Sequence, residues 1–175
     1  KEAAGRNVPG YEKKGDAHYD NISAFIKSMR GGDIDATLYY LARMLNAGED
    51  PKFVARRMVV FASEDIGLAG NGALGLALNA FMAVERIGMP ESKIILSHVA
   101  YALAKAKKSR ESYDAFMRAE QLANRTMGLP VPIWLRNAST KLMADLGFGE
   151  GQKWEAGFHL DKKYLPDEIK EDKIC

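Results

Sequence analysis

The sequence predicts an all-α fold, a bundle of helices joined by short turns. Three features point to it. Apolar residues recur at helical spacing in segment after segment, glycine or proline interrupts them at regular intervals, and no central stretch alternates apolar and polar residues as a half-buried strand does. Only the last part of the chain departs from this texture. There, glycines alternate with aromatics, which reads as an irregular, ordered tail.

Residues 1–15 hold Gly5, Pro9, Gly10 and Gly15 among scattered charges and read as a linker. The helical pattern begins at Asp16. Ile22, Phe25, Ile26 and Met29 line one face of a first helix that stops at Gly31-Gly32. Asp33 is placed to cap a second helix with the stripe Ile34, Leu38, Leu41 and Leu45, closed by Gly48. Asp50-Pro51 opens a third helix, expected to run unbroken to Gly67, with Val54, Met58 and Phe61 inward and Val59 and Val60 broadening the stripe. Apolar over so much of its circumference, it is expected to be central. Residues 69–87 form a fourth helix with Leu74, Leu76, Leu78, Phe81, Met82 and Val84 as its stripe. Met89-Pro90 breaks it. A fifth, 91–106, carries Ile94, Ile95, Val99 and Leu103, and a sixth, 109–123, carries Tyr113, Phe116, Met117 and Leu122. The segment LPVPIWLRNAST reads as extended because of its two prolines, and 137–146 as a short seventh helix. The tail reads as ordered loop or a short hairpin. The domain organisation expected is therefore a linker at 1–15, a helical domain at 16–146 and a tail packed on it at 147–175.

The 175 residues suffice for one well-buried domain, and 47% hydrophobic with 27% charged residues is ordinary for a globular protein. A net charge of +2 does not by itself indicate nucleic acid or membrane. The one cysteine, Cys175, leaves no internal disulfide, which fits a reducing cytosol. No apolar run approaches the roughly 20 residues that span a bilayer. The first residues carry no apolar core of a signal peptide and look like the cut end of something longer.

Few residues suggest chemistry. No glycine-rich loop ends in Lys-Ser or Lys-Thr, and GNGALG (Gly70, Gly72, Gly75) fits GxGxxG without a preceding strand, so it reads as a loop and helix start. His18 lies near Asp16 and Asp20, which could serve a small metal-dependent hydrolase or could simply cap the first helix. The third helix has Arg56 and Arg57 near its start and Glu64 and Asp65 near its end, the reverse of what the helix dipole favours. Arg57 and Glu64 share a face but sit two turns, roughly 10 Å, apart, too far to pair directly. Each therefore needs a partner from another helix, another subunit or solvent, and all four are candidate ion-pair or oligomer residues. Lys105, Lys107, Lys108 and Arg110 crowd the turn between the fifth and sixth helices. They are candidates for phosphate contact with DNA, although a solvated turn has the same composition. Arg136 and Asn137 are candidates for ordering the proline-rich loop.

HYDNISAFIKSMRGGDIDATLYYLARMLNAGEDPKFVARRMVVFASEDIGLA (18–69) resembles the C-terminal region of the RarA/MgsA family of AAA+ ATPases, the replication-associated recombination proteins related to the Werner helicase-interacting protein. VPIWLRNASTKLM (131–143), LGFGEGQKW (146–154) and YLPDE (164–168) extend the likeness in order. Where the family usually reads GLADP, this chain has Gly70-Asn71, and its KAKKS at 105–109 is more basic than the usual APKS. The resemblance implies a helical collar like that of clamp-loader subunits, assembling a homotetramer. It implies ATP and Mg in a preceding AAA+ module, none in this stretch, and no catalysis here. It also implies action in DNA replication, recombination and repair at stalled forks, with DNA and single-strand-binding protein as partners, in a cytoplasmic, nucleoid-associated protein. A metal-dependent hydrolase and a monomeric protein-binding adaptor are the alternatives.

Overall fold

The computed structural model describes the backbone of residues 14–153 and 155–175, and side chains from His18 onward with the exception of Trp154. The expected linker at 1–15 lies almost wholly, and the Asp16 side chain entirely, outside the described residues.

Among the described residues the chain is all helix, turn and loop, with no strand. The helices are α1 (Lys14–Gly31), α2 (Ile34–Asn46), α3 (Pro51–Phe61), α4 (Ala73–Ile87), α5 (Ser92–Lys105), α6 (Glu111–Arg125) and the short α7 (Lys141–Asp145). Local chemistry sets their ends. Asp33 caps α2 by accepting the Ala36 N–H at 2.9 Å, and Asp50 caps α3 by accepting that of Lys52 at 2.9 Å, ahead of Pro51. Thr140 caps α7 through the Met143 N–H at 3.2 Å.

The third helix does not run on to Gly67 as α-helix. It ends at Phe61, passes through a π-helical turn at Ala62–Ile66 and a 3-10 turn at Gly67–Ala69, and only then leads to α4. The proline-rich stretch is extended around a 3-10 turn at Ile133–Leu135, and the tail forms loop and a 3-10 turn at Asp167–Ile169 without a hairpin.

The chain divides into two compact units, Lys1–Asp114 and Ala115–Cys175. In the first, α5 is the hub, packing on α1, α2, α3 and α4, while α1 pairs with α2 and α3 with α4. Phe25, Met29, Val54, Met58, Phe61, Ile66, Leu96 and Leu103 are fully buried in one cluster. Ala77 and Ala80 of α4 and Ala100 and Ala104 of α5 are buried as well, small residues that let helix backbones approach closely. Two buried hydroxyls fold back on their own helices, Thr37 onto the Asp33 carbonyl and Ser92 onto the Gly88 carbonyl, both at 2.6 Å.

Three expected stripes face differently from their sequence reading. On α4 the buried face is Ala77, Ala80 and Val84, while Leu74, Leu78 and Met82 stand exposed. On α5 Ile94 is outside and Leu96 inside. On α6 only Leu122 is buried, and Phe116 is largely exposed. Hydropathy alone selects the larger side chains, but close packing selected the small ones where helices come near each other.

In the second unit the loops are held by cations on carbonyls and rings. Arg118 Nε donates to the Ile174 carbonyl at 2.6 Å. Trp134 meets Tyr164 edge to face at 4.9 Å, and the Lys162 ammonium lies 5.6 Å from the Trp134 ring centre.

Candidate functional site

The charged residues singled out in the sequence converge at one junction of the first unit, where the π-helical turn meets the connection between α5 and α6. A π-turn replaces the i to i−4 bond with a longer one, and here the Gly67 N–H donates to the Ala62 carbonyl, five residues back. The extra residue turns Asp65 into the core and leaves Glu64 toward the rim. Asp65 is 3% exposed, and its carboxylate takes two hydrogen bonds from Arg30 of α1, from Nε at 2.5 Å and from Nη2 at 3.2 Å. Hydrogen bonding to Asp65 raises the Arg30 pKa against the smaller, opposing effect of burial, so the guanidinium is firmly charged. The Asp65 carbonyl, in turn, accepts the Ser109 N–H at 2.9 Å. One residue therefore ties α1, the end of α3 and the α5–α6 connection together.

Gly67 makes that approach possible. It has φ of +46°, and a Cβ there would lie 2.9 Å from Ser112 Oγ and 3.1 Å from the Ser109 carbonyl oxygen. Only glycine fits both the backbone conformation and the space.

Glu64 accepts from Arg110 Nη1 at 3.2 Å, Arg110 also reaches Asp114 at 3.8 Å, and its guanidinium lies 4.3 Å from the Tyr113 ring centre. The Glu64 hydrogen bond raises the Arg110 pKa further. Lys108 turns inward. Its ammonium donates to the Leu103, Ala104 and Ala106 carbonyls at 3.1, 2.9 and 2.5 Å, and sits 5.8 Å from the Phe61 ring centre. It satisfies carbonyls left unbonded at the end of α5, where a cation is also favoured by the helix dipole. Burial pushes its pKa below the ordinary lysine value, with the charge of Asp65 pulling the other way.

The sequence-selected residues thus divide. Glu64 and Asp65 pair across helices, with Arg110 and Arg30, not with Arg56 and Arg57. Arg56 is exposed, 5.5 Å from the Phe53 ring centre, and Arg57 Nε is buried with no hydrogen-bond acceptor. Of the basic turn, Lys108 and Arg110 hold the junction, whereas Lys105 and Lys107 are exposed. Arg136 Nε donates to the Val131 carbonyl at 2.7 Å and lies 5.7 Å from the Phe148 ring centre, fastening the proline-rich loop, while Asn137 stands exposed beside it. His18 pairs with Glu49 across 31 residues, and its ring lies against Phe53. Among the described residues no group of three or more His, Cys, Asp or Glu is arranged to hold a metal ion. Arg30 was not selected from the sequence. Its only signal was a lone arginine in the last turn of α1, 35 residues from its partner.

Fold and junction define a class: an all-α packing module whose charged residues join helix to helix. Residues 31–174 match the family model described as MgsA AAA+ ATPase C terminal, and residues 1–30 match that described as AAA C-terminal domain. The chain belongs to the MgsA AAA+ ATPase C-terminal family. Among its relatives, replication-associated recombination protein A of Coxiella burnetii is 44% identical over 91% of this chain and 37% of its own length. The Escherichia coli K12 protein of the same name is 40% identical over 96% of the chain and 38% of its own length. ATPase WRNIP1 of Dictyostelium discoideum is 44% identical over 94% of the chain and 19% of its own length. The chain therefore spans less than two fifths of each of these relatives. No helix among the described residues is long and apolar enough to cross a membrane.

Proposed function

We propose that this chain is the C-terminal oligomerisation module of a RarA-type AAA+ ATPase. It performs no catalysis of its own. It joins ATPase modules into a homotetramer that acts on DNA at stalled replication forks alongside single-strand-binding protein, in the cytoplasm and at the nucleoid. ATP and Mg belong to the AAA+ module that precedes it in such proteins. Lys105 and Lys107, exposed at the basic turn, remain the candidates there for contact with DNA phosphates.

The observation that carries this reading is the outward face of α4. Leu74, Leu78 and Met82, one turn apart, are 45%, 47% and 40% exposed, and no charged residue interrupts them. Large apolar side chains aligned on an exposed helix mark a face that meets another protein surface. Family membership makes a second copy the favoured occupant. Sedimentation equilibrium at micromolar concentration tests it, with an expected mass of four times the 19.3 kDa chain. Leu78→Glu, placed on the exposed face, is expected to lower that mass while leaving the helical signal intact. A wild-type monomer at every concentration would refute the reading in favour of the adaptor.

A further inference from the structure

A second charged feature of the first unit lies away from the junction's salt bridges. Along α1, Tyr19, Asp20, Ser23, Lys27 and Arg30 line a surface groove of about 490 Å³, and Arg57 of α3 closes it. Three of these six side chains are cations and two carry hydroxyls. Arg57 makes no ion pair or hydrogen bond with any described residue, and its Nε is shielded from water without an acceptor. A buried donor left unmatched is a standing penalty that folded proteins avoid unless something else fills it. Arg30 is held in place by Asp65 through Nε and Nη2, which leaves Nη1 uncommitted at the groove. Its side chain is thus already ordered before any ligand arrives.

We propose that this groove is a phosphate-binding site, with Arg57 as principal ligand and Arg30 and Lys27 flanking it. Guanidinium forks match the oxygens of a phosphate two at a time, and Lys27 adds a mobile point charge. Donors come from two helices and from both kinds of cation, an arrangement suited to a tetrahedral oxyanion rather than a planar carboxylate. Tyr19 and Ser23 can donate to remaining oxygens. Asp20 opposes binding, as a like charge in the same groove. The phosphate is either free or carried on a nucleic-acid strand.

The test uses the 175-residue chain and follows the Arg57 Nε–H resonance by NMR during titration with sodium phosphate, against sodium chloride at matched ionic strength. Phosphate is expected to shift it saturably and chloride is not. Arg57→Gln should weaken phosphate affinity, read from the backbone amides around Ser23 and Lys27, by about tenfold or more, the loss of one charge-assisted contact. Asp20→Asn should tighten it severalfold. If Arg57→Gln does not fold, Lys27→Gln, at an exposed position, should weaken binding severalfold instead. A short oligothymidylate with and without a 5′-phosphate identifies the carrier: a shift with the phosphorylated strand alone indicates a monoester, and one with both indicates the diester backbone. Equal responses to phosphate and chloride would overturn the proposal, as would affinity unchanged by the folded variant. So would saturable binding of an acidic peptide where phosphate has no effect.

Discussion

The Arg30–Asp65 pair makes a prediction that depends on which partner is removed. Asp65 is 3% exposed, while the Arg30 side chain is 46% exposed. Changing Asp65→Asn keeps the shape and leaves behind a cation that can turn to water. The loss is that of hydrogen bonds to a charged group, about 1.5–3 kcal/mol. Changing Arg30→Gln leaves a carboxylate out of water without its cation, and breaking a buried pair in that direction costs about 3–5 kcal/mol. The two substitutions remove the same interaction, yet Arg30→Gln should be the worse by about 1–2 kcal/mol on these figures, roughly tenfold in the folding equilibrium. The double variant, with a neutral amide on each side, should fall well short of the sum. Urea unfolding at pH 7, with all four chains at one protein concentration so that self-association is held constant, gives the complete cycle. If Asp65→Asn proves as damaging as Arg30→Gln, or if the effects add to within about 0.5 kcal/mol, the pair is not coupled as argued.

Two further outcomes follow from the same junction. Gly67→Ala combines a left-handed backbone with a Cβ 2.9 Å from Ser112 Oγ and 3.1 Å from the Ser109 carbonyl oxygen. It should lower the melting temperature by several degrees, and adding Ser112→Ala should recover only part, because the Ser109 contact is backbone; full recovery would show that the backbone contact is unimportant. Lys108 gives a pH dependence. Its pKa is lower in the folded chain than the ordinary 10.5, so between the two values the unfolded chain binds more protons and stability from this group rises with pH. Relative to Lys108→Met, the wild type should therefore gain stability as pH climbs toward that value, and a flat or falling difference curve would contradict the burial argument.

The sequence made the helices legible because each announces itself locally. Ile22, Phe25, Ile26 and Met29 are spaced for one face and all four are buried there, and Asp33 and Asp50 sit where caps must sit. Which side of α4 faces inward was not legible. Leucines at 74 and 78 outrank alanines at 77 and 80 in hydropathy, and only the nearness of α3 and α5 reverses the order. The charged site was half legible. That Glu64 and Asp65 needed partners on other elements followed from helix geometry. Their identity did not, because Arg30 and Arg110 are 35 and 46 residues away and nothing local distinguishes them from other surface arginines. The π-turn had no local signal either. ASEDI is ordinary helical sequence, and its irregular geometry accompanies the long-range bonds made by Asp65.

That turn fixes the phase of everything downstream. A regular helix through residues 62–66 would advance each side chain by about 100° per residue, and the π-turn absorbs one residue beyond that count. Removing any single residue there would restore a regular helix and swing the following segment by about 100° around the axis. Gly67 would then no longer face Ser109, and the start of α4 would be misdirected. In this stretch the number of residues is therefore under tighter constraint than most of their identities.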